Sequence, residues 1–119
     1  MVRLFLFLLV VLSSCAYDKA EDITPAPKDC GTPAVVSYAQ SVSPLLDRNC
    51  RSCHDAVQQT AGVNLDDFTV LKRYVDNGIF LGNIKHLPGY KPMPKGAAKL
   101  SDCDIALLQK WVDAGAPKN

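Results

Sequence analysis
The chain has 119 residues, 48% of them apolar, with 13 Lys+Arg against 12 Asp+Glu. That size fits one domain, and seven Gly with eight Pro in no repeating pattern exclude collagen-like and low-complexity chains. Without residues 1–14, and so without Arg3, 12 basic residues balance 12 acidic ones, so no net field argues for nucleic acid as a partner.

Residues 1–14 read as a signal peptide. Arg3 gives a short positive start, and Leu4 to Leu12 is an unbroken apolar run. The run has the length of a signal core and is too short for a membrane-spanning helix. Leu12-Ser13-Ser14-Cys15 resembles a bacterial lipobox, which implies cleavage before Cys15 and lipidation of that residue; an ordinary secretory cut near Ala16 is the alternative. Several acyl chains on one residue anchor a protein stably, where one chain is marginal. Residues 15–29 then form a charged, Pro-containing tether, and 30–119 the domain. Both readings place the protein in a compartment that permits disulfides: the bacterial cell envelope, periplasm or outer membrane.

Val35-Val36 reads as extended. A first helix is expected near 38–50, with Ser41 or Ser43 capping it and Pro44 in its first turn, where proline is harmless. It leads into Cys50-Arg51-Ser52-Cys53-His54. Cys-x-x-Cys-His is the attachment pattern of c-type haem. Two thiols at this spacing reach the two vinyl groups on one porphyrin edge, and the following histidine lies where its imidazole can coordinate iron. A thioredoxin-like dithiol needs a preceding strand and a βαβ context. A zinc site needs four ligands, and His86, Cys30 and Cys103 supply no second tight pair. A plain disulfide leaves His54 unexplained.

A middle helix fits 66–77. Asp66 and Asp67 suit its start, Phe68, Leu71 and Val75 make its apolar stripe, and Gly78 follows as a stop. Residues 79–100 are expected to be an irregular loop. They hold Met93, the one methionine besides Met1, within Lys91-Pro92-Met93-Pro94-Lys95. Flanking prolines stiffen that backbone and suit a rigid loop holding a weak thioether ligand, which makes Met93 the candidate second axial ligand of iron. His86 is the rival, and an open sixth site the third choice. The last helix starts at Ser101-x-x-Asp104, which resembles a capping box. It carries Ile105, Leu108, Trp111 and Val112 and ends at Gly115. The apolar residues available to line a haem pocket are Leu45, Leu46, Leu65, Phe68, Leu71, Phe80, Leu81, Ile84, Leu100, Leu108 and Trp111. The expected fold is therefore all-α, with about three helices around a covalently bound haem.

The chain resembles small monohaem cytochrome c domains over roughly residues 35–117. The likeness rests on Pro44-Leu45-Leu46, the Cys50–His54 motif, Gly89-Tyr90-Lys91-Pro92-Met93-Pro94, Leu100-Ser101-Asp102 and Trp111-Val112-Asp113-Ala114-Gly115-Ala116-Pro117. The resemblance implies a compact all-α fold with an exposed haem edge. It implies thioether bonds at Cys50 and Cys53, His54 as the proximal ligand and Met93 as the distal one. Met–His ligation raises the iron potential relative to bis-His. The implied function is electron carriage between redox partners, with no catalytic residue. A haem with a labile sixth ligand, acting as a peroxidase or gas sensor, is the alternative, and a haem-free structural lipoprotein is the third.

With Cys15 on lipid and Cys50 and Cys53 on haem, Cys30 and Cys103 remain. A disulfide between them would staple the start of the domain to the last helix; two buried free thiols are the alternative. From Asn77 to Ser101 there is no acidic residue, but there are Lys85, Lys91, Lys95 and Lys99. Lys91, Lys95 and Lys99 lie within six positions of Met93; there they would rim the haem edge and steer an acidic partner, and a merely soluble loop is the alternative.

Overall fold
The computed structural model describes residues 29–119. The expected signal peptide, the lipidation site Cys15 and all but the last residue of the tether lie outside the described residues. Among the described residues every regular element is helical and there is no strand, so the domain is all-α. None of these helices is long and apolar enough to cross a membrane.

Ser37 opens the first helical stretch, its Oγ accepting from Gln40 N. The chain winds through a π turn, Tyr38–Val42, into α1, Ser43–Asn49, with Pro44 in the first turn of α1. It kinks at Cys50 (φ −129°) and continues as α2, Arg51–His54. The expected 38–50 helix is thus two segments, capped by Ser37 rather than by Ser41 or Ser43. Val35-Val36 forms no strand; Val36 is buried and Val35 is exposed. A short 3-10 turn, Thr60–Gly62, follows.

Asp67 caps α3, Phe68–Asp76, by accepting from Thr69 N at 2.8 Å, and Gly78 (φ +77°) ends it. Asp66 stays outside this helix. α4, Ile79–Ile84, lies inside the segment expected to be irregular, so residues 85–100 alone are loop. α5, Asp102–Asp113, begins with the expected cap: Ser101 Oγ accepts from Asp104 N and donates to Asp104 Oδ2. Gly115 (φ +87°) ends it, with Ala116 N bonded to Trp111 O. Three expected helices have become five α-helical segments and two tighter or wider turns, because proline, Cys50 and Gly78 break longer runs.

The core gathers where α5 meets the π turn, α1 and α3. Trp111, Leu45, Leu46, Leu71, Leu108 and Val42 are all under 2% exposed. The Tyr38 ring meets Phe68 edge-on at 5.0 Å and Trp111 at 5.9 Å, spacings that favour aromatic pairs. The Trp111 indole N–H donates to Pro117 O at 2.9 Å, so the buried ring leaves no donor unpaired. Asn119 ties the tail to the first stretch through Ala39 N and Tyr38 N. Cys30 and Cys103 are bonded, with Cα atoms 5.2 Å apart, within the normal disulfide range. This is the pairing expected for them, and it joins the start of the domain to α5.

Candidate functional site
A cavity of about 1160 Å³ opens beside the core. It exceeds the roughly 300–1,000 Å³ usual for small-molecule sites. Cys50, Cys53 and His54 line it from α2 and its approach, Phe80 and Ile84 from α4, and Tyr90 and Met93 from the following loop. Four site residues from two distant stretches of sequence therefore share one cavity.

Of the apolar residues expected to line a pocket, Leu65, Phe80, Ile84 and Leu100 do so. Leu45, Leu46, Leu71, Leu108 and Trp111 fill the core instead. Phe68 and Leu81 pack against that core, partly buried. Hydrophobicity alone does not tell a core wall from a cavity wall.

The Cys50–His54 turn is held from several sides. Cys53 N and His54 N both reach Cys50 O, at 3.2 and 3.1 Å, and His54 O accepts from Leu65 N at 2.6 Å. Arg51 points away from the cavity wall and acts as a hub. It donates to Ser43 Oγ at 2.8 Å, Asp47 Oδ1 at 2.6 Å and Tyr38 OH at 3.1 Å, and its Nε lies 3.0 Å from Asp66 Oδ1. Burial opposes the Arg51 charge, but the bond to Asp47 and the nearby acidic groups outweigh it and hold the pKa above its ordinary value. Burial pushes the Cys50 thiol up to about 11 against a weaker opposing pull from Arg51; Cys53 is exposed. Neither cysteine is in a disulfide. Nδ1 of His54 is buried without a hydrogen-bond partner, an uncommon state for a buried polar atom and one that calls for a reason.

Met93 lines the cavity; His86, its rival as a ligand, does not. His86 Nε2 instead lies 3.0 Å from Met93 O. Met93 N donates to Asn83 O and Lys91 N to Asn83 Oδ1, each at 3.1 Å. Tyr90 lies over Gly82, where a Cβ atom would stand 2.2 Å from the ring. Lys91 and Lys95 stand at the cavity, whereas Lys85 bonds to Gln109 and Lys99 pairs with Asp102 at 3.6 Å. Of the three lysines expected at the rim, Lys91 and Lys95 are thus at the cavity and Lys99 is engaged elsewhere. Asn83, Gly82 and Arg51 carry no motif of their own, and apart from the Arg51–Asp47 pair the partners that place them in the site lie 8 to 15 residues away, past the nearest neighbours that a helical pattern shows.

No group of three or more His, Cys, Asp and Glu converges among the described residues, so they assemble no four-ligand zinc site from those types. The Cys50–Cys53 pair follows a helix, not the strand a thioredoxin-like dithiol requires. No protein-family model, curated protein or solved structure matches the chain. The residues do fit a covalently held haem: two unpaired thiols, an imidazole with an orphaned nitrogen, a thioether and apolar walls border one space of ample size.

Proposed function
We propose that the protein is a monohaem, cytochrome c-like electron carrier, lipid-anchored through Cys15 in a bacterial cell envelope. The observation that carries this reading is the single cavity lined by Cys50, Cys53, His54 and Met93. Bound haem would supply a one-electron iron couple. Cys50 and Cys53 would hold its edge as thioethers, and His54 and Met93 would ligate the iron. Phe80, Ile84, Leu65 and Leu100 keep water from the apolar walls, and Arg51 braces the motif against α1 and the turn at residues 65–66. Held by both His54 and Met93, the iron would offer no open site to a substrate, and this reading assigns the chain no catalytic residue. Lys91 and Lys95 suit an acidic redox partner, which would meet the protein by electrostatic steering.

The test is expression of the full chain with a cytochrome c maturation system, followed by a denaturing haem stain and an absorption spectrum. Covalent haem with a Met–Fe(III) charge-transfer band, lost in Met93→Ala, is the expected result. Covalent haem with an unchanged Met93→Ala spectrum would mean that Met93 is not the ligand, leaving His86 as ligand or an open-site enzyme or sensor.

A further inference from the structure
Helix α4 ends unlike its neighbours. Leu87 N reaches Gly82 O at 3.0 Å and His86 N reaches Asn83 O at 3.2 Å, which is the Schellman pattern of helix termination. The residue at its turning point must take a left-handed conformation, and glycine does so without a Cβ penalty. Helices α3 and α5 place Gly78 and Gly115 there; α4 places His86, at φ +55°. Histidine tolerates this region better than most side chains, yet it still carries a cost that glycine avoids. A costly residue at a position glycine fills elsewhere in the same fold calls for a reason in its side chain.

That reason is on the ring. Its partner is a carbonyl, so His86 Nε2 must carry the proton and donate to Met93 O. The other polar group of the Met93 backbone, its N–H, donates to Asn83 O. Both are therefore held by the end of one helix, by Asn83 in its last turn and by His86 two residues past Ile84. A methionine side chain is unbranched and has three rotatable bonds, so it cannot fix its own sulfur. A stable sulfur position has to come from a fixed backbone.

We infer that His86 is a positioning residue that holds Met93 at the cavity through its carbonyl and thereby governs how readily an external ligand displaces the Met93 sulfur from iron. This rests on the haem reading above. His86 does not ligate iron itself in this arrangement; it spends Nε2 on the loop.

The test uses the matured holoprotein, with His86→Gly and His86→Gln, titrated in the ferric state with imidazole. Glycine keeps the left-handed turn and removes the ring. Glutamine restores a side-chain N–H donor in the place of Nε2. His86→Gly should retain covalent haem, weaken the Met–Fe(III) band and bind imidazole about three- to tenfold more tightly, as expected for loss of one hydrogen bond. His86→Gln should return toward the parent. Equal imidazole affinity and an unchanged band in His86→Gly would overturn the inference, leaving His86 a helix stop only. If His86→Gly matures poorly, a Gln variant with parental affinity supports the inference and one that binds imidazole more tightly than the parent overturns it. A parent without a Met band whose low-spin spectrum vanishes in His86→Gly would make His86 the ligand, which also overturns it. Absence of covalent haem from every form would instead sink the underlying reading.

Discussion

Gly82 offers a test of the site that reads the fold directly. It sits inside α4, where alanine is favoured over glycine by about 1 kcal/mol. Taken alone, Gly82→Ala should stabilise. But a Cβ at residue 82 would stand 2.2, 2.3 and 2.5 Å from Cδ1, Cε1 and Cγ of Tyr90. The last of these is the root of the ring, so a flip of its tip gives no relief. The whole side chain would have to move, and its backbone is tied by Tyr90 N to Leu87 O at 3.1 Å and, one residue on, by Lys91 N to Asn83. Overpacking of this kind costs about 1–3 kcal/mol. After the helix gain, Gly82→Ala should destabilise the holoprotein by up to about 2 kcal/mol in urea unfolding. In a Tyr90→Ala background the clash is gone, and the same change should stabilise by up to about 1 kcal/mol. The difference between the two backgrounds is the overpacking cost itself, a coupling of about 1–3 kcal/mol in a double-mutant cycle. If Gly82→Ala stabilises the parent as it does the Tyr90→Ala variant, the ring does not pack on α4 and the account of how Met93 is held loses its lower support.

Other expectations follow from the same structure. Replacing Cys30 and Cys103 by serine opens a link across 73 residues; by chain-entropy estimates this costs about 4 kcal/mol, read as an earlier urea midpoint, and an unchanged midpoint would mean the bond adds nothing. In haem-free protein the Cys50 thiol rises on folding from 9.0 to about 11. The unfolded chain then ionises first, so this contribution is intact below pH 9 and is lost between pH 9 and 11, by about 3 kcal/mol. Cys50→Ser should flatten that part of the stability profile, and equal slopes in parent and variant would contradict it. Electron-transfer rates with the natural partner should fall as ionic strength rises, more weakly in a Lys91→Ala, Lys95→Ala double variant. A flat dependence in the parent would remove the electrostatic docking face.

The legible parts of the fold were those with side-chain punctuation. Asp67 and Ser101 mark helix starts with carboxylate and hydroxyl caps, and Gly78 and Gly115 mark the ends. Helix α4 carries only a fainter sign at its start, Asn77 Oδ1 accepting from Ile79 N at 3.1 Å, and no glycine at its end. It is six residues long with Gly82 within it, and its N-cap position is Gly78, which has no side chain to accept a bond. A helix that short is marginal alone and forms because Phe80 and Ile84 pack into the core. The Cys50–His54 motif and Met93 stand out in the sequence, and the fold places them on one cavity. What joins Met93 to His86 was not legible, since a ring nitrogen meeting a backbone carbonyl leaves no trace in composition or period. Nor did hydrophobicity separate Leu46, in the core alone, from Leu65, which belongs to the core and also lines the cavity.

The most direct measurement of the central claim is a denaturing gel of the full chain, produced beside a cytochrome c maturation system and stained for haem. The account predicts a haem-positive band at the mass of this chain, lost when both Cys50 and Cys53 are replaced by alanine. A colourless band, in cells that mature a control cytochrome normally, would contradict it.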